Sequence, residues 1–285
     1  MKKYEMIKEG ELFRIVALRD FGNVSQGDKG GLIAKENNLS HDGDCWVSGD
    51  AMVYGDALVY GNARVYGNAK VSGDAMVSGN ARVSGDALVS GNARVYGDAM
   101  VYGDALVYGN ARVSGNAEVS GNAMVYGDAL VYGNAKVSGN AWVYGNAEVY
   151  GDARVSGDAR VFESHRIQFG TLDNTSIKSL IASSLNVYPV NGTYYLYKRV
   201  NKIGNGEYAS CYNESFIYRD GETAEVETIN SDTSISCGDG LHVSTPFYWN
   251  KGDTLIAVEV HESDVICCQE GKLRVKKLNV VGEVC

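Results

Sequence analysis

The stretch Val83-Ser84-Gly85-Asp86-Ala87-Leu88-Val89-Ser90-Gly91-Asn92-Ala93-Arg94 contains one six-residue unit twice, Val-[Ser/Tyr]-Gly-[Asp/Asn]-Ala-x. The same unit runs from Val47 to Arg160 without an inserted or deleted residue, which makes nineteen hexads. A short, strict period is typical of solenoids, in which each unit stacks on its predecessor to bury a face that it cannot bury alone. The repeat therefore predicts a solenoid.

The chemistry of the hexad indicates how each unit folds. Its first residue is always Val and its fifth is always Ala, so these two side chains are expected to point inward. Val is β-branched and suits a strand, whereas Gly followed by Asp or Asn is typical of corners with positive φ. A helix is disfavoured because a glycine recurs every six residues, about once in two helical turns, and the apolar positions do not follow a helical period. Each hexad is predicted to be a short strand and a corner, in a mainly β fold.

The hexads resemble the left-handed parallel β-helix of hexapeptide-repeat acyltransferases. The resemblance implies a triangular coil of three hexads, a left-handed sense and assembly as a homotrimer. Nineteen hexads would then give roughly six coils. The segments Leu12–Phe21, Gly27–Ile33 and Asn38–Trp46 resemble the lead-in of a bacterial and phage family of such repeats. In register, Cys45 takes the Ala position of a hexad, and Leu39 takes that position one hexad earlier.

These patterns predict three segments. We expect an N-terminal cap over residues 1–38, the hexapeptide-repeat β-helix over 39–172, and a small α+β or β C-terminal domain over 173–285. In the last segment, 173–186 has helical spacing of apolar residues and several later runs suit strands. The predicted strands are 194–200, 224–229, 254–260 and 273–281.

Composition restricts the compartment and the partners. The net charge is −9, and no segment is basic, so neither nucleic acid nor an anionic membrane is an expected partner. No run approaches the roughly 18 apolar residues of a membrane span, and the N-terminus has no apolar signal region. The six cysteines are interpreted as reduced thiols. We expect a cytoplasmic protein, in the host cytoplasm if phage-encoded.

The sixth residue of each hexad sorts into three columns, because every eighteenth residue should stack. One column forms a nearly continuous apolar stripe and is predicted to be the oligomer interface through Met52, Leu88, Leu106, Met124 and Trp142. The alternative is that scattered apolar side chains on a surface are ordinary. The Asp residues at the corners could make an acidic DNA mimic, although turn geometry explains them and arginines lie on the same prism.

An acyltransferase on this fold would need a histidine general base and loops that break the coils to form a cleft. No histidine and no insertion lies between Val47 and Arg160. The four histidines, His41, His165, His242 and His261, lie at or beyond the ends of the repeat. Acyl transfer is therefore kept only as an alternative, which would require His41 or His165 to face a pocket on a neighbouring subunit.

Two chemical hypotheses concern the C-terminal segment, a zinc site and NAD chemistry. The 187–285 region resembles an uncharacterised phage-associated domain through Leu196–Arg199, Cys237–Ser244 and Gly271–Val275. Cys211, Cys237, His242, Cys267 and Cys268 carry ligand atoms for zinc, but no Cys-x-x-Cys is present, and no metal or cofactor is expected.

The second hypothesis is NAD-dependent ADP-ribosyl transfer. Arg199, Ser244 and Glu259 follow the order of the Arg, Ser-Thr-Ser and Glu elements of ADP-ribosyltransferases, although Pro246 replaces the last Ser. Structural roles for Arg199 and His242 are preferred. The sequence favours a non-catalytic, trimeric scaffold with a C-terminal recognition domain for a host or phage protein.

Overall fold

The computed structural model describes residues 2–162, 165–173, 176–230 and 238–284. Residues 1–163 with 171–175 form one compact unit, here the solenoid unit. Residues 164–170 with 176–285 form a second, here the C-terminal unit. The segment 165–170, which the sequence places at the end of the β-helix, therefore clusters with the C-terminal unit.

The solenoid unit begins with three longer strands, β1 (Tyr4–Glu9), β2 (Leu12–Ala17) and β3 (Lys29–Ile33), and a 3-10 turn at Glu36–Asn38. Each later strand up to β23 has two residues, the sixth residue of one hexad and the Val of the next. They are β4 (Trp46–Val47), β5 (Met52–Val53), β6 (Leu58–Val59), β7 (Arg64–Val65), β8 (Lys70–Val71), β9 (Met76–Val77), β10 (Arg82–Val83), β11 (Leu88–Val89), β12 (Arg94–Val95), β13 (Met100–Val101), β14 (Leu106–Val107), β15 (Arg112–Val113), β16 (Glu118–Val119), β17 (Met124–Val125), β18 (Leu130–Val131), β19 (Lys136–Val137), β20 (Trp142–Val143), β21 (Glu148–Val149), β22 (Arg154–Val155) and β23 (Arg160–Val161). Two further short strands are β24 (Arg166–Ile167) and β25 (Thr171–Leu172).

Parallel pairing joins every third hexad strand, so that residues 18 positions apart are neighbours. Face A stacks β3, β5, β8, β11, β14, β17, β20 and β23; face B stacks β4, β7, β10, β13, β16, β19, β22 and β25; face C stacks β6, β9, β12, β15, β18 and β21. The predicted parallel β-solenoid and its three columns are confirmed. Eight rungs form on face A, more than the roughly six coils that the hexads alone predict. The left-handed sense stays a prediction.

Valine and alanine fill the tube, as predicted. From Val47 to Val161 the hexad Val and Ala side chains are buried, almost all with no exposed surface. The corner glycines adopt positive φ, for example +67° at Gly79 and +74° at Gly97. A Cβ on Gly79 would lie 2.9 Å from the backbone N and O of Gly97. Glycine is therefore required at these corners both by conformation and by the closeness of the next coil.

The start of the coil differs from the prediction. Leu32 and Ile33 of β3 already pair in parallel with Met52 and Val53, so the first rung lies inside the segment expected to be a cap. Leu39 pairs with Val59 and so occupies a Val position, not the predicted Ala position. Val47 lies eight positions after Leu39, two more than the spacing of a hexad, and the first corner accommodates the two additional residues.

The N-terminal strands close this end of the tube. The Tyr4 hydroxyl donates to the carbonyl oxygens of Glu36 and Leu39, at 2.9 and 2.7 Å. The Lys3 ammonium is fully buried but donates to the carbonyls of Gly43 and Cys45. A buried ammonium is tolerated when such acceptors are present, so these contacts fix the hairpin of β1 and β2 over the first coil.

The C-terminal unit contains helix α1 (Ile177–Leu185), where a helix is predicted, and a mostly antiparallel sheet. Ser176 caps the helix through its hydroxyl, which accepts from the Ser179 amide. The strands are β26 (Thr193–Gly204), β27 (Glu207–Ser210), β28 (Ile217–Arg219), β29 (Thr223–Glu225), β30 (Leu241–Ser244), β31 (Thr254–His261), β32 (Val265–Gln269), β33 (Lys272–Val275) and β34 (Lys277–Glu283), with a 3-10 turn at Glu262–Asp264.

The main path of this sheet runs β29-β34-β31-β26-β30-β33-β32, and β27 pairs with both β26 and β28. The predicted strand at 224–229 is shorter, because β29 ends at Glu225. The predicted strand at 273–281 is two strands: β33 pairs with β30 and β32, whereas β34 pairs with β29 and β31. The chain changes its neighbours at Lys276, so one hydrophobic run serves two parts of the sheet.

Candidate functional site

Face A carries a patch of apolar and aromatic side chains in two adjacent columns. The first column contains the predicted interface residues, whose strands pair in register from Met52 to Trp142. The second lies on the other side of each buried Val and contains Tyr residues. The lower part of this surface, here the face A patch, comprises Leu88, Leu106, Met124, Trp142, Tyr108, Tyr126, Tyr144 and Phe162. All eight side chains are half-buried.

The rings in the patch stack along the solenoid axis. Tyr108 and Tyr126 have centroids 4.9 Å apart and planes 2° apart, and Tyr126 and Tyr144 follow at 5.1 Å. Phe162 continues the stack at 5.6 Å from Tyr144. Burial and the neighbouring tyrosines raise the pKa of Tyr126. The rings therefore form an aromatic ladder in which they stabilise one another, and each ring remains half-buried.

The other two faces are more polar. On face B, Lys136 forms an ion pair with Glu118 at 2.9 Å, and on face C the Tyr132 hydroxyl donates to Glu148 at 3.1 Å. Arginines fill successive rungs on both faces, such as Arg64 with Arg82 on face B. An extended outward apolar patch therefore distinguishes face A from the others.

His41, the histidine that precedes the repeat, contributes contacts to the N-terminal cap. His41 stacks on Tyr4 at 4.3 Å, its Nδ1 accepts from the Lys3 amide at 3.1 Å, and its Nε2 lies 2.9 Å from Glu36 Oε1. Both ring nitrogens are therefore engaged in contacts within the solenoid unit. His165 is buried, with 4% of its surface exposed.

The C-terminal unit contains a cleft where its sheet divides. Along one edge of β26, Tyr197 pairs with Ser244 of β30, which is the one pair between these two strands. From Val200 onward the same edge of β26 pairs with β27. Between these two pairings β30 and β27 diverge, and Lys198 lies at the division. The resulting cavity has a volume of about 770 Å³, which suits a small molecule or a short peptide segment.

Lys198 is the most unusual residue of this cleft. Its side chain is only 7% exposed, and its Nζ donates to the His242 carbonyl oxygen at 2.9 Å. The amine lies 5.4 Å from the ring centroid of Tyr218 and 5.6 Å from that of Trp249. Burial lowers the pKa of Lys198 to about 8, so the amine still carries its proton at neutral pH.

The walls of the cleft are aromatic and its rim is acidic. Tyr218, Tyr248 and Trp249 line it, and the exposed carboxylates of Glu225, Glu227 and Asp239 surround the opening. The indole Nε1 of Trp249 is buried and has no hydrogen-bond partner among the described residues. Trp249 therefore has a buried donor without a partner among the described residues, and the face of its ring lies against the Lys198 amine.

The candidate residues predicted from the sequence do not converge on this cleft. Of Arg199, Ser244, Glu259 and His242, only His242 lines it. Arg199 and Glu259 pair with Leu255 and Tyr195, which places them four residues apart along β26, about 13 Å at the rise of a strand. The Ser244 side chain is fully buried, and its hydroxyl donates to the Gly271 carbonyl.

The cysteine cluster considered for zinc is dispersed. Among the residues that the structure describes, no group of three or more metal-ligating side chains is placed to hold an ion. Cys211, Cys267 and Cys268 are buried free thiols, and burial raises the pKa of Cys268 to about 12. Cys237, also considered for that site, lies outside the described residues.

The sequence analysis missed Lys198, although a signal for it exists. Tyr194, Leu196 and Val200 alternate on the buried face of β26, and Lys198 interrupts this apolar row. A lysine in a buried register is uncommon and indicates a special environment. The sequence analysis considered the neighbouring residue, Arg199, whose side chain points to the opposite face of the sheet.

The continuous parallel ladders, the filled tube and the invariant hexad together define a repeat β-solenoid protein with an antiparallel C-terminal sheet. Six segments of the repeat match the family described as YdcK beta solenoid repeat, at residues 47–61, 57–73, 69–84, 81–95, 93–109 and 117–133. The chain is thus similar to that family within the hexads. A comparison with curated proteins gave no match.

No helix within the described parts of the chain has the length and apolar character needed to cross a membrane.

Proposed function

We propose that this protein is a non-catalytic scaffold, which associates through the face A patch and carries a C-terminal recognition unit for a host or phage protein in the cytoplasm. The observation that carries this proposal is the contrast between the two units. The hexads form an unbroken tube with a filled core, whereas the C-terminal unit contains a cleft with buried donors. A rigid tube suits assembly, and a cleft suits recognition.

Self-association is argued from the chemistry of face A. Its eight half-buried apolar and aromatic side chains form one contiguous strip, and strips of this kind on proteins in water are generally covered by a partner. A second copy of the chain offers an equivalent strip, and rotational assembly of identical faces closes without leaving one exposed. The resemblance to hexapeptide-repeat proteins favours three copies.

Trimerisation also gives the scaffold a physical purpose. Three linked recognition units convert weak single contacts into tight overall binding, because the second and third contacts form at a high effective concentration. The proposal therefore expects weak capture by a monomeric variant and strong capture by the native assembly.

Sedimentation velocity tests the assembly. Leu88→Lys with Leu106→Lys and Trp142→Lys places three charges in the face A patch and is expected to give monomers, whereas the native chain is expected to sediment as a trimer. The matched control, Leu58→Lys with Met76→Lys and Leu130→Lys, adds the same charges to face C and should leave the trimer intact. An unchanged mass for the face A variant would refute the proposal.

Recognition is tested by pull-down from host lysate with the full chain. The native protein is expected to retain a defined partner, and the monomeric face A variant should retain about a hundredfold less at equal subunit concentration. Equal retention by both forms would show that the assembly does not serve recognition.

A further inference from the structure

We propose that the cleft of the C-terminal unit binds a carboxylate group attached to an apolar or aromatic body, with Lys198 and Trp249 as the groups that hold the carboxylate. This inference rests on the proposed recognition role and names the chemistry that the recognition unit reads. It follows from three features of the cleft: its buried donors, its charge and its walls.

The first feature is a pair of buried side chains that have hydrogen-bond donors without acceptors. A lysine ammonium has three N–H donors, and Lys198 gives one to the His242 carbonyl. The described residues supply no second hydrogen bond to Lys198 and none to the indole N–H of Trp249. Buried donors without acceptors are costly, and a ligand that brings two acceptor oxygens would satisfy both side chains.

The charge of the cleft selects a singly charged anion. No described carboxylate lies within 4.0 Å of the Lys198 amine, so its positive charge is not neutralised by an ion pair. Lys272, the other buried lysine of the cleft, has a partner in Glu270 at 3.3 Å. The Glu225 carboxylate is paired with Lys276 at 3.4 Å, and that of Glu227 would repel a polyphosphate more strongly than a single carboxylate. Among the described residues of the cleft, Lys198 is the lysine without an ion-pair partner, and one carboxylate would neutralise its charge.

The walls indicate what the carboxylate is attached to. The rings of Tyr218 and Trp249 flank the amine, and Tyr248 packs edge-on against Trp249 at 4.7 Å. Aromatic walls of this kind bury apolar or planar groups and exclude water from the charged contact. With a cavity of about 770 Å³, the ligand is larger than a free acetate ion.

The test compares acids with their neutral amides on the full chain. Benzoate and N-acetylphenylalanine are titrated beside benzamide and N-acetylphenylalaninamide, with binding followed by ligand-observed NMR. We expect each acid to bind at least about tenfold more tightly than its amide, because hydrogen bonds to a charged group are the strongest of their kind. Equal binding of acid and amide, or no binding of either acid at about 10 mM, would overturn the proposal.

Two variants and one control assign the effect to the cleft. Lys198→Met and Trp249→Phe keep the bulk of the side chains but remove the donors, and each should reduce the preference for the acid. Lys202→Met is the control, because Lys202 lies on the same strand but is exposed and paired with Glu283 at 2.5 Å. An acid preference that persists in Lys198→Met would contradict the assignment, and circular dichroism checks that each variant is folded.

Competition distinguishes the source of the carboxylate. Displacement of benzoate by a short peptide ending in Phe, but not by the amidated peptide, would support a protein C-terminus; displacement by small acids alone would support a free metabolite. The outcome is independent of the lysate experiment. If the chain binds the acids but captures no protein from the lysate, only the proposed protein partner is overturned. If the chain captures a protein but binds neither acid, only the carboxylate inference is overturned.

Discussion

The substitution Gly79→Ala measures how closely the coils stack. Gly79 is a corner residue with φ of +67°, and a Cβ there would lie 2.9 Å from both the backbone N and O of Gly97 in the next coil. Gly10 supplies a matched control in the same unit. Its φ is +65°, but a Cβ there would meet no atom within 4 Å.

The magnitudes follow from these two geometries. Both alanines would adopt the left-handed conformation, at a cost of about 1–2 kcal/mol each. Only the alanine at position 79 also overlaps with backbone, which cannot rotate away as a side chain can, and overpacking of this kind adds about 1–3 kcal/mol. We expect Gly79→Ala to lower the free energy of unfolding by about 2–5 kcal/mol and Gly10→Ala by about 1–2 kcal/mol.

Urea unfolding followed by far-ultraviolet circular dichroism gives the comparison, with the slope checked for a change in cooperativity, because repeat proteins can unfold in parts. The difference between the two variants isolates the stacking of one coil on the next. Equal losses of stability in Gly79→Ala and Gly10→Ala would refute close stacking of the corners.

Two further predictions concern the corner amides and the buried lysine. Asn110 accepts from Asn92 and donates to Asp128 at 2.9 Å, so Asn110→Asp is expected to set two carboxylates on adjacent rungs and lower stability by up to about 1 kcal/mol at neutral pH. The loss should disappear in acid; a loss that persists there would contradict this reasoning. Burial lowers the pKa of Lys198 from 10.5 to about 8, so the unfolded chain binds more protons between these values and stability rises with pH. The stability of the native chain relative to Lys198→Met should therefore rise by about 3 kcal/mol from pH 8 to 10.5 in denaturant titrations, and a constant difference would show that the amine is not buried in its charged form.

The sequence was sufficient to predict the tube because its determinants are local and repeat exactly in phase. A β-branched Val, a small Ala and a corner Gly specify strand, interior and turn within six residues, and translation by three hexads then sets every column. The pairing of Leu88 with Leu106 and the stacking of Tyr108 on Tyr126 follow from this arithmetic.

The ends of the tube were harder to predict because they depart from the period. Gly30 and Gly31 of β3 carry no hexad signature, yet β3 forms the first rung. Leu39 shifted to a Val position because the corner after it contains two additional residues. An insertion changes which side chains face inward. It cannot be detected when the six-residue register is extended backwards from Val47 without a gap.

The cleft could not be predicted because it depends on pairings between distant segments. Lys198 lies at the base of a cavity only because β26 pairs with β30 at one point and with β27 at another. Nothing in the local sequence of β26 specifies this division. The alternation of buried residues around Lys198 nevertheless contains enough information to place the lysine on the buried side, which is the part of the site accessible to sequence reasoning.

The most direct test of the central claim, that three hexads make one coil, is disulfide cross-linking between outward positions. Leu88 and Leu106 are partners on face A, where neighbouring strands lie about 4.8 Å apart, within the range that a disulfide spans. Leu88→Cys with Leu106→Cys should form an intramolecular disulfide on mild oxidation, detected by peptide mass spectrometry, whereas Leu88→Cys with Met100→Cys should not, since Met100 lies on face B. A disulfide between positions 88 and 100, and none between 88 and 106, would contradict the three-sided coil.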